Sequence, residues 1–462
     1  MRSASHRYAR RSALAAALAF LSVAASAQTP DPQAPQPASS TPTSPLAIHV
    51  GDADLLFGGF VDATSIRRTT NTGSGLGTNF GTIPFTNTVQ GHVQDTQFSS
   101  QGSRLTLQAT SKVGTADLKG VLEMDFLGNA PNGLSVTTNG NTPRMRVFWG
   151  QYRRGAFEFL AGQAWSLMTP NRSGLSPETA GVFISQTVDP NYQAGLTWGR
   201  TMQYRVTTHL SDSVAAAVSI ENPDQYVGSG VKLPAGFLPG QVDTGATVND
   251  VPNPFPDILG KIAWDPKIGR THQHVEGGVL VRRFKTYSLD TDTTFTETAT
   301  GGELNAIVEL APAVRLIGTG FYSSGGGRYI ANTNLPDFIV NHDASMTLVT
   351  TSSYIAGTEI QASGATSLHA YYSAAHADRT VAIDADGSTI GFGVPGSTAA
   401  NEDVTEATAG VIHTFFRDPK IGGIQFLGQY SYLKRTPFSV PAGTPPDASV
   451  HMIYMCIRYF LP

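Results

Sequence analysis

Ala116-Asp117-Leu118-Lys119-Gly120-Val121-Leu122-Glu123-Met124-Asp125-Phe126 decides the fold of this chain. Ala116, Leu118, Gly120, Leu122, Met124 and Phe126 share one parity, while Asp117, Lys119, Glu123 and Asp125 fall on the other with Val121. A helix would scatter the four charges around its circumference, whereas a strand puts them on one face and the apolar residues on the other. The same alternation returns in Leu105, Leu107 and Ala109 against Arg104, Thr106, Gln108 and Thr110. It returns again in Leu304, Ala306, Val308 and Leu310 against Glu303, Asn305, Ile307 and Glu309. Leu368, Ala370, Tyr372 and Ala374 alternate likewise with Ser367, His369, Tyr371 and Ser373. Each segment runs for about 9–11 residues, the length of a tilted strand across a bilayer.

Connections narrow the reading further. Strands are expected near 59–68, 101–112, 115–127, 143–153, 156–164, 199–210, 213–222, 256–265, 272–286, 300–311, 313–324, 350–362, 366–377, 404–416, 422–434 and 449–460. Every second junction is short, as at Arg153-Arg154-Gly155 and Ala311-Pro312-Ala313, while those at 69–100, 165–198, 223–255 and 378–403 are long and polar. Turns on one side and loops on the other define an all-β, antiparallel transmembrane β-barrel of about sixteen strands, with periplasmic turns and extracellular loops. Aromatics on the apolar parity sort to strand ends: Trp264, Phe157 and Phe415 to the turn side, Phe126, Tyr322 and Tyr354 to the loop side. Two belts of that kind mark the two membrane interfaces.

Composition agrees. Charged residues make up only 14% of the chain, and Gly reaches 48 residues, well away from a charged soluble surface. A formal net charge of −4 leaves no footprint for nucleic acid. The single Cys456 rules out an intrachain disulfide framework. At the N-terminus Arg2, Arg7, Arg10 and Arg11 precede the apolar run 12–23, and Ala25-Ser26-Ala27 closes it with small residues. That pattern describes a secretory signal peptide over 1–27. Residues 28–54 form a Pro-rich flexible lead-in, and 55–462 the barrel.

Several phrases resemble the DcaP-like family of outer-membrane porins: Gly59-Phe60-Val61-Asp62-Ala63, Gly102-Ser103-Arg104-Leu105-Thr106-Leu107, Leu122-Glu123-Met124-Asp125-Phe126-Leu127-Gly128, Arg144-Met145-Arg146, Leu160-Ala161-Gly162-Gln163-Ala164-Trp165-Ser166-Leu167 and Ser219-Ile220-Glu221-Asn222-Pro223. The resemblance covers residues 59–223. It implies a homotrimer in outer-membrane lipid that favours small anionic solutes, and an inward-folding loop over 165–198. The Pro-rich lead-in stands where members of that family carry a helical segment.

A pore selects by its width and its wall charges. Strand parity puts Arg104, Arg144, Arg146 and Arg205 on the lumen face, with Glu123 and Asp125 on the strand between Arg104 and the Arg144–Arg146 pair; loop 165–198 adds Arg172 and Glu178. Two readings stand. In one, an Arg ladder faces carboxylates across a constriction and grips anions through guanidinium forks. In the other, the Arg and acid residues neutralise each other and stiffen the wall. His272-Gln273-His274 offers two imidazoles without a third ligand, so it reads as a wet turn, and no cofactor motif is read. The function expected is passive diffusion of small hydrophilic solutes. The alternatives are an outer-membrane barrel hydrolase, for which no catalytic set can be named, and a secreted β-rich binding or adhesion protein, which would lack the alternation of short and long connections.

Overall fold

The computed structural model describes residues 44–128, 142–245 and 251–462. The signal peptide and residues 28–43 of the lead-in lie outside the described residues. Sixteen antiparallel strands form a closed barrel. They are β1 (Ala53–Arg68), β2 (Asp95–Ser99 and, past a break at 100–103, Arg104–Val113), β3 (Ala116–Asp125), β4 (Arg144–Arg154), β5 (Phe157–Trp165) and β6 (Arg200–Ser211). Next come β7 (Val214–Glu221), β8 (Asp257–Trp264), β9 (Thr271–Ser288), β10 (Thr293–Ala311) and β11 (Val314–Ser324). The last are β12 (Thr350–Gln361), β13 (Thr366–Ala377), β14 (Asn401–Asp418), β15 (Gly422–Pro437) and β16 (Ala448–Phe460). Each strand pairs with its sequence neighbour, and β16 closes on β1 from Phe60 opposite Phe460 to Arg68 opposite Met452. Closure leaves no unpaired edge, the condition for backbone to cross hydrocarbon as strands. Among the described residues no helix is long and apolar enough to cross a membrane.

The expected strands and the observed ones coincide in number and order, and differ at their ends. β1 starts at Ala53, preceded by Ala47–Val50, which folds back on it with Ala47 opposite Leu56. Residues 47–50, assigned to the lead-in from the sequence, are thus strand. β2 starts at Asp95 instead of near 101. The β9–β10 hairpin runs on to Ser288 and Thr293, where a longer loop was expected. The additions to β2, β9 and β10 lie near the ends of strands, where the lipid-facing parity turns polar, whereas at the start of β1 Leu55, Leu56 and Phe57 are apolar on both faces. In each case the contrast between faces that reveals a strand fades.

The turn side is built tightly. Gly114 and Gly155 open two-residue turns at φ +60° and +59°, the Gly-first pattern of type II′ hairpins. On the lipid side Phe148, Val206, Ile220, Ile262, Val279, Leu304, Ile453 and Ile457 are exposed, as residues solvated by acyl chains must be. Their strand neighbours point inward and are buried. At the loop end, Phe80, Ile83, Phe284, Phe338, Ile339, Phe392 and Leu433 join one buried apolar cluster. The long loops thus pack on one another and onto the upper wall.

Candidate pore and its lining

The lumen is crossed by segment 166–199. Its neck is closed by Ser166 N donating to Gly199 O at 2.9 Å. Trp165, Tyr192 and Trp198 stack there with ring centroids 5.2–6.2 Å apart. From that neck the segment reaches nearly the whole wall. Leu167 N donates to Glu221 of β7 at 2.7 Å and Asn171 N to Glu276 of β9 at 2.9 Å. Ala194 N donates to Glu406 of β14 at 2.8 Å, and Gln186 N to Tyr371 of β13 at 3.2 Å. Val188 N meets Gln429 of β15. Three wall carboxylates, a tyrosine hydroxyl and a glutamine amide oxygen therefore accept backbone N–H groups that a buried loop could not otherwise satisfy.

One pivot of the segment is conformational. Gly195 has φ +85°, and a Cβ there would lie 2.7 Å from Ala374 O on β13. Both the left-handed backbone and the clash oppose a side chain. The Gly195→Ala variant should lose about 1–3 kcal/mol of loop docking. Single-channel recording would register this as more frequent current steps, with barrel strand content by circular dichroism unchanged.

The eight residues singled out by parity and loop position divide into two groups. Arg104, Arg144 and Arg146 do meet Glu123 and Asp125, but side by side along β2, β3 and β4 and not across the opening. Arg144 forks onto Asp125 through Nε at 3.0 Å and Nη2 at 2.7 Å. Arg104 Nη1 stands 3.5 Å from Glu123. Arg146 is wholly covered: it donates to Glu123 at 2.5 Å, to Asp125 at 2.9 Å and to the Tyr192 hydroxyl at 3.1 Å. A β-bulge opposite Glu123 and Met124 turns both Arg146 and Val147 inward and seats Arg146 under the segment's neck. Arg205 is also buried, bound to Gln203 and to Trp165 O. Arg172 forks onto Glu359 of β12 at 2.9 and 3.0 Å, and Glu178 pairs with Lys119 at 2.6 Å. Arg146, Arg172 and Glu178 hold the segment in place, and Arg205 braces Trp165 just before it.

Three residues that parity did not bring forward complete the charged corner. Arg458 of β16 forks onto Asp62 of β1 at 2.8 and 3.2 Å and lies 4.1 Å over the Phe60 ring. Arg104 lies over the other side of the same neighbourhood, 5.2 Å from that ring. Arg200, at the start of β6, lies over Trp165 and Trp198. Its Nη1 and the Nε of Arg104 are buried donors with no hydrogen-bond partner among the described residues. Arg104, Arg144, Arg146, Arg200 and Arg458 thus outnumber Asp62, Glu123 and Asp125. The water-facing share is more uneven still. The side chains of Arg144, Arg104 and Arg458 are 34%, 19% and 19% exposed, against 1%, 7% and 3% for Asp125, Glu123 and Asp62. Water in this corner meets the cations and not the acids.

On the facing wall, Lys261 of β8 is buried between Glu276 at 3.0 Å and Glu303 at 2.5 Å and donates to Thr169 O of the crossing segment at 3.0 Å. His274 is buried too, bound to Asp265 at 2.8 Å and facing Glu276 at 3.3 Å. The wet turn expected around it is instead a lumen-wall ion cluster, because even positions on β9 face inward. Arg282 pairs with Asp257 and Asp337 at 3.0 and 2.7 Å.

No family model matches the chain, and no curated protein matches it. Among solved structures it is similar to the outer membrane channel DcaP of Acinetobacter baumannii. That match has a TM-score of 0.62 and 18% identity over 88% of this chain and 97% of that one. It is also similar to an anion-selective porin from Comamonas acidovorans, with a TM-score of 0.50 and 13% identity over 88% and 99% of the two chains. The fold is that of outer-membrane channels, and the structural likeness falls on the same channel type that the sequence phrases resemble.

Proposed function

We propose that this protein is a diffusion porin of the Gram-negative outer membrane, exported by its N-terminal signal peptide and assembled as a homotrimer, that prefers small hydrophilic anions. The observation that carries the preference is the uneven wetting of the charged corner: guanidinium groups face the water, and their carboxylates lie behind them. Segment 166–199 is then the constriction, since it crosses the lumen and presses its Tyr192 neck against β4. A guanidinium fork offers a carboxylate or phosphate two parallel hydrogen bonds, and partial pairing with Asp125 or Asp62 keeps that grip weak enough for release. One of the similar structures is an anion-selective porin, which supports the same direction. Trimeric assembly rests on the sequence resemblance.

The test is the reversal potential of the purified protein in a planar bilayer under a potassium chloride gradient. Chloride preference is expected, and a clear preference for potassium would overturn the anion reading while leaving a pore. Absence of any conductance would overturn the pore itself.

A further inference from the structure

Arg282 and Arg283 are neighbours on β9 with opposite fates. Arg282 points inward and takes two carboxylates. Arg283 points outward, is exposed, and among the described residues has no carboxylate within ion-pair distance. Lys285, two residues further on the same face, is exposed and likewise has none. Outward guanidinium and ammonium groups are costly in hydrocarbon, so their height matters. On β9 the outward residues run Gln273, Val275, Gly277, Val279, Val281, Arg283 and Lys285. From Gln273 to Arg283 is roughly 33 Å along a strand. Tilted by about 40°, that spans about 25 Å, the height of the apolar band of such barrels.

Arg283 is therefore the first outward residue above the hydrocarbon on the loop side. The partner strand agrees: outward residues of β10 change from Leu304 and Gly302 to Thr300, Thr298 and Thr296. Thr300 stands opposite Val281, Thr298 opposite Arg283, and Thr296 opposite Lys285. Tyr322, 65% exposed and opposite Gly302, marks the interface just below. Phe255 lies under the Arg283 guanidinium at 4.6 Å and fixes its direction. Two cations without a carboxylate partner among the described residues, three hydroxyls and two aromatic flanks thus line one patch at headgroup height. Of the acids near the hairpin tip, Asp292 meets the Tyr287 hydroxyl, Glu297 is exposed but shares the inward parity of Phe295 and Ala299, and Asp290 is exposed in the turn itself, beyond Lys285.

We propose that the outer face of the β9–β10 hairpin, centred on Arg283 and Lys285, binds the phosphorylated headgroup of a glycolipid of the outer leaflet. This rests on the outer-membrane reading above, because it requires the loop side to face that leaflet. The cations engage phosphate, and the threonines hydrogen-bond sugar hydroxyls or phosphate oxygens. Val279, Val281 and Leu304 below them receive the acyl chains. Neither side chain faces the lumen, so ion conduction does not depend on them.

The experiment titrates the full-length protein in detergent with bisphosphorylated lipid A and reads binding by native mass spectrometry. The Arg283→Gln, Lys285→Gln double variant is expected to bind at least tenfold more weakly, since each basic residue near an anionic headgroup contributes about fivefold. Dephosphorylated lipid A should show the same loss with the wild-type protein. The Arg153→Gln, Arg154→Gln double variant, at the turn side, serves as the charge-matched control and should bind as wild type. Equal binding by the double variant overturns the site. Equal binding of phosphatidylglycerol overturns the assignment to a glycolipid in favour of any anionic headgroup. Conductance is measured on the same preparations. A conducting channel that ignores lipid A sinks only this inference, whereas lipid A binding without conductance sinks the porin reading and leaves the site standing.

Discussion

Replacing Arg104 and Arg144 by glutamine shifts the reversal potential toward the cation side and removes the anion preference. The substitutions delete two of the three cations that water meets in the charged corner, Arg458 being the third. Asp62, Glu123 and Asp125 remain, with Arg146, Arg200 and Arg458 to balance them. A unit charge about 7 Å from an ion in water changes its energy by roughly 0.6 kcal/mol. That is nearly threefold for the anion and threefold in the opposite sense for the cation, or about sevenfold in the permeability ratio per charge. Screening over a Debye length of about 10 Å at 0.1 M salt reduces the effect, so a change of about tenfold is expected for the pair at low salt. Measurements at two salt concentrations check it, and an unchanged ratio at low salt would remove both residues from the pore. Arg146→Gln gives a useful contrast. Arg146 is buried against two carboxylates, so its loss should lower barrel stability more than it alters selectivity.

The largest loss of stability is expected from Lys261→Met. The ammonium group is 1% exposed and sits between Glu276 and Glu303, which are 0% and 1% exposed. Removing it leaves buried carboxylate charge uncompensated, which costs about 3–5 kcal/mol where one partner of a buried pair is deleted. Glu276 keeps His274, Asn305 and the Asn171 N–H, so Glu303 bears most of the damage. Lys261→Met combined with Glu303→Gln should therefore recover most of the lost stability. The urea midpoint of the heat-modifiable band on a gel reads both variants. Failure of the second change to rescue the first would mean that the Lys261 bond to Thr169, and not charge balance, dominates.

The barrel was legible because lipid and water press on opposite faces of every strand within the membrane. The sorting of short turns from long loops supplied closure and sidedness. Strand ends beyond the apolar band escaped for the same reason: Asp95-Thr96-Gln97-Phe98-Ser99 has a polar residue on each face, so period two gives no contrast. β16 shows the opposite case. Met452, Tyr454 and Cys456 point inward between the outward Ile453, Met455 and Ile457, so both faces read apolar and Arg458 at the end of the inward row went unnoticed. Its two-residue spacing from Cys456 was the available signal.

The charged corner was legible in membership and not in wetting. Parity brought Arg104, Glu123, Asp125, Arg144 and Arg146 onto one wall. Whether each touches water is set by Tyr192 and its neighbours, tens of residues away. Arg144 and Arg146 look equivalent at spacing two, yet one is 34% exposed and the other 1%. Arg200 lies at a strand end where the chain turns inward over Trp165, so alternation says nothing about it.

The anchors of segment 166–199 also bear on how the molecule is built. Its bonds to Glu359, Glu406 and Gln429 join residues 187, 212 and 241 positions apart in the chain. Contacts of such long range carry a large closure entropy and form slowly. The segment lacks these partners until β12 to β15 have joined the sheet, so the narrowing of the lumen is among the last events of assembly. An unfinished barrel is consequently a wide one, and a variant slowed in closing would leak before it would filter.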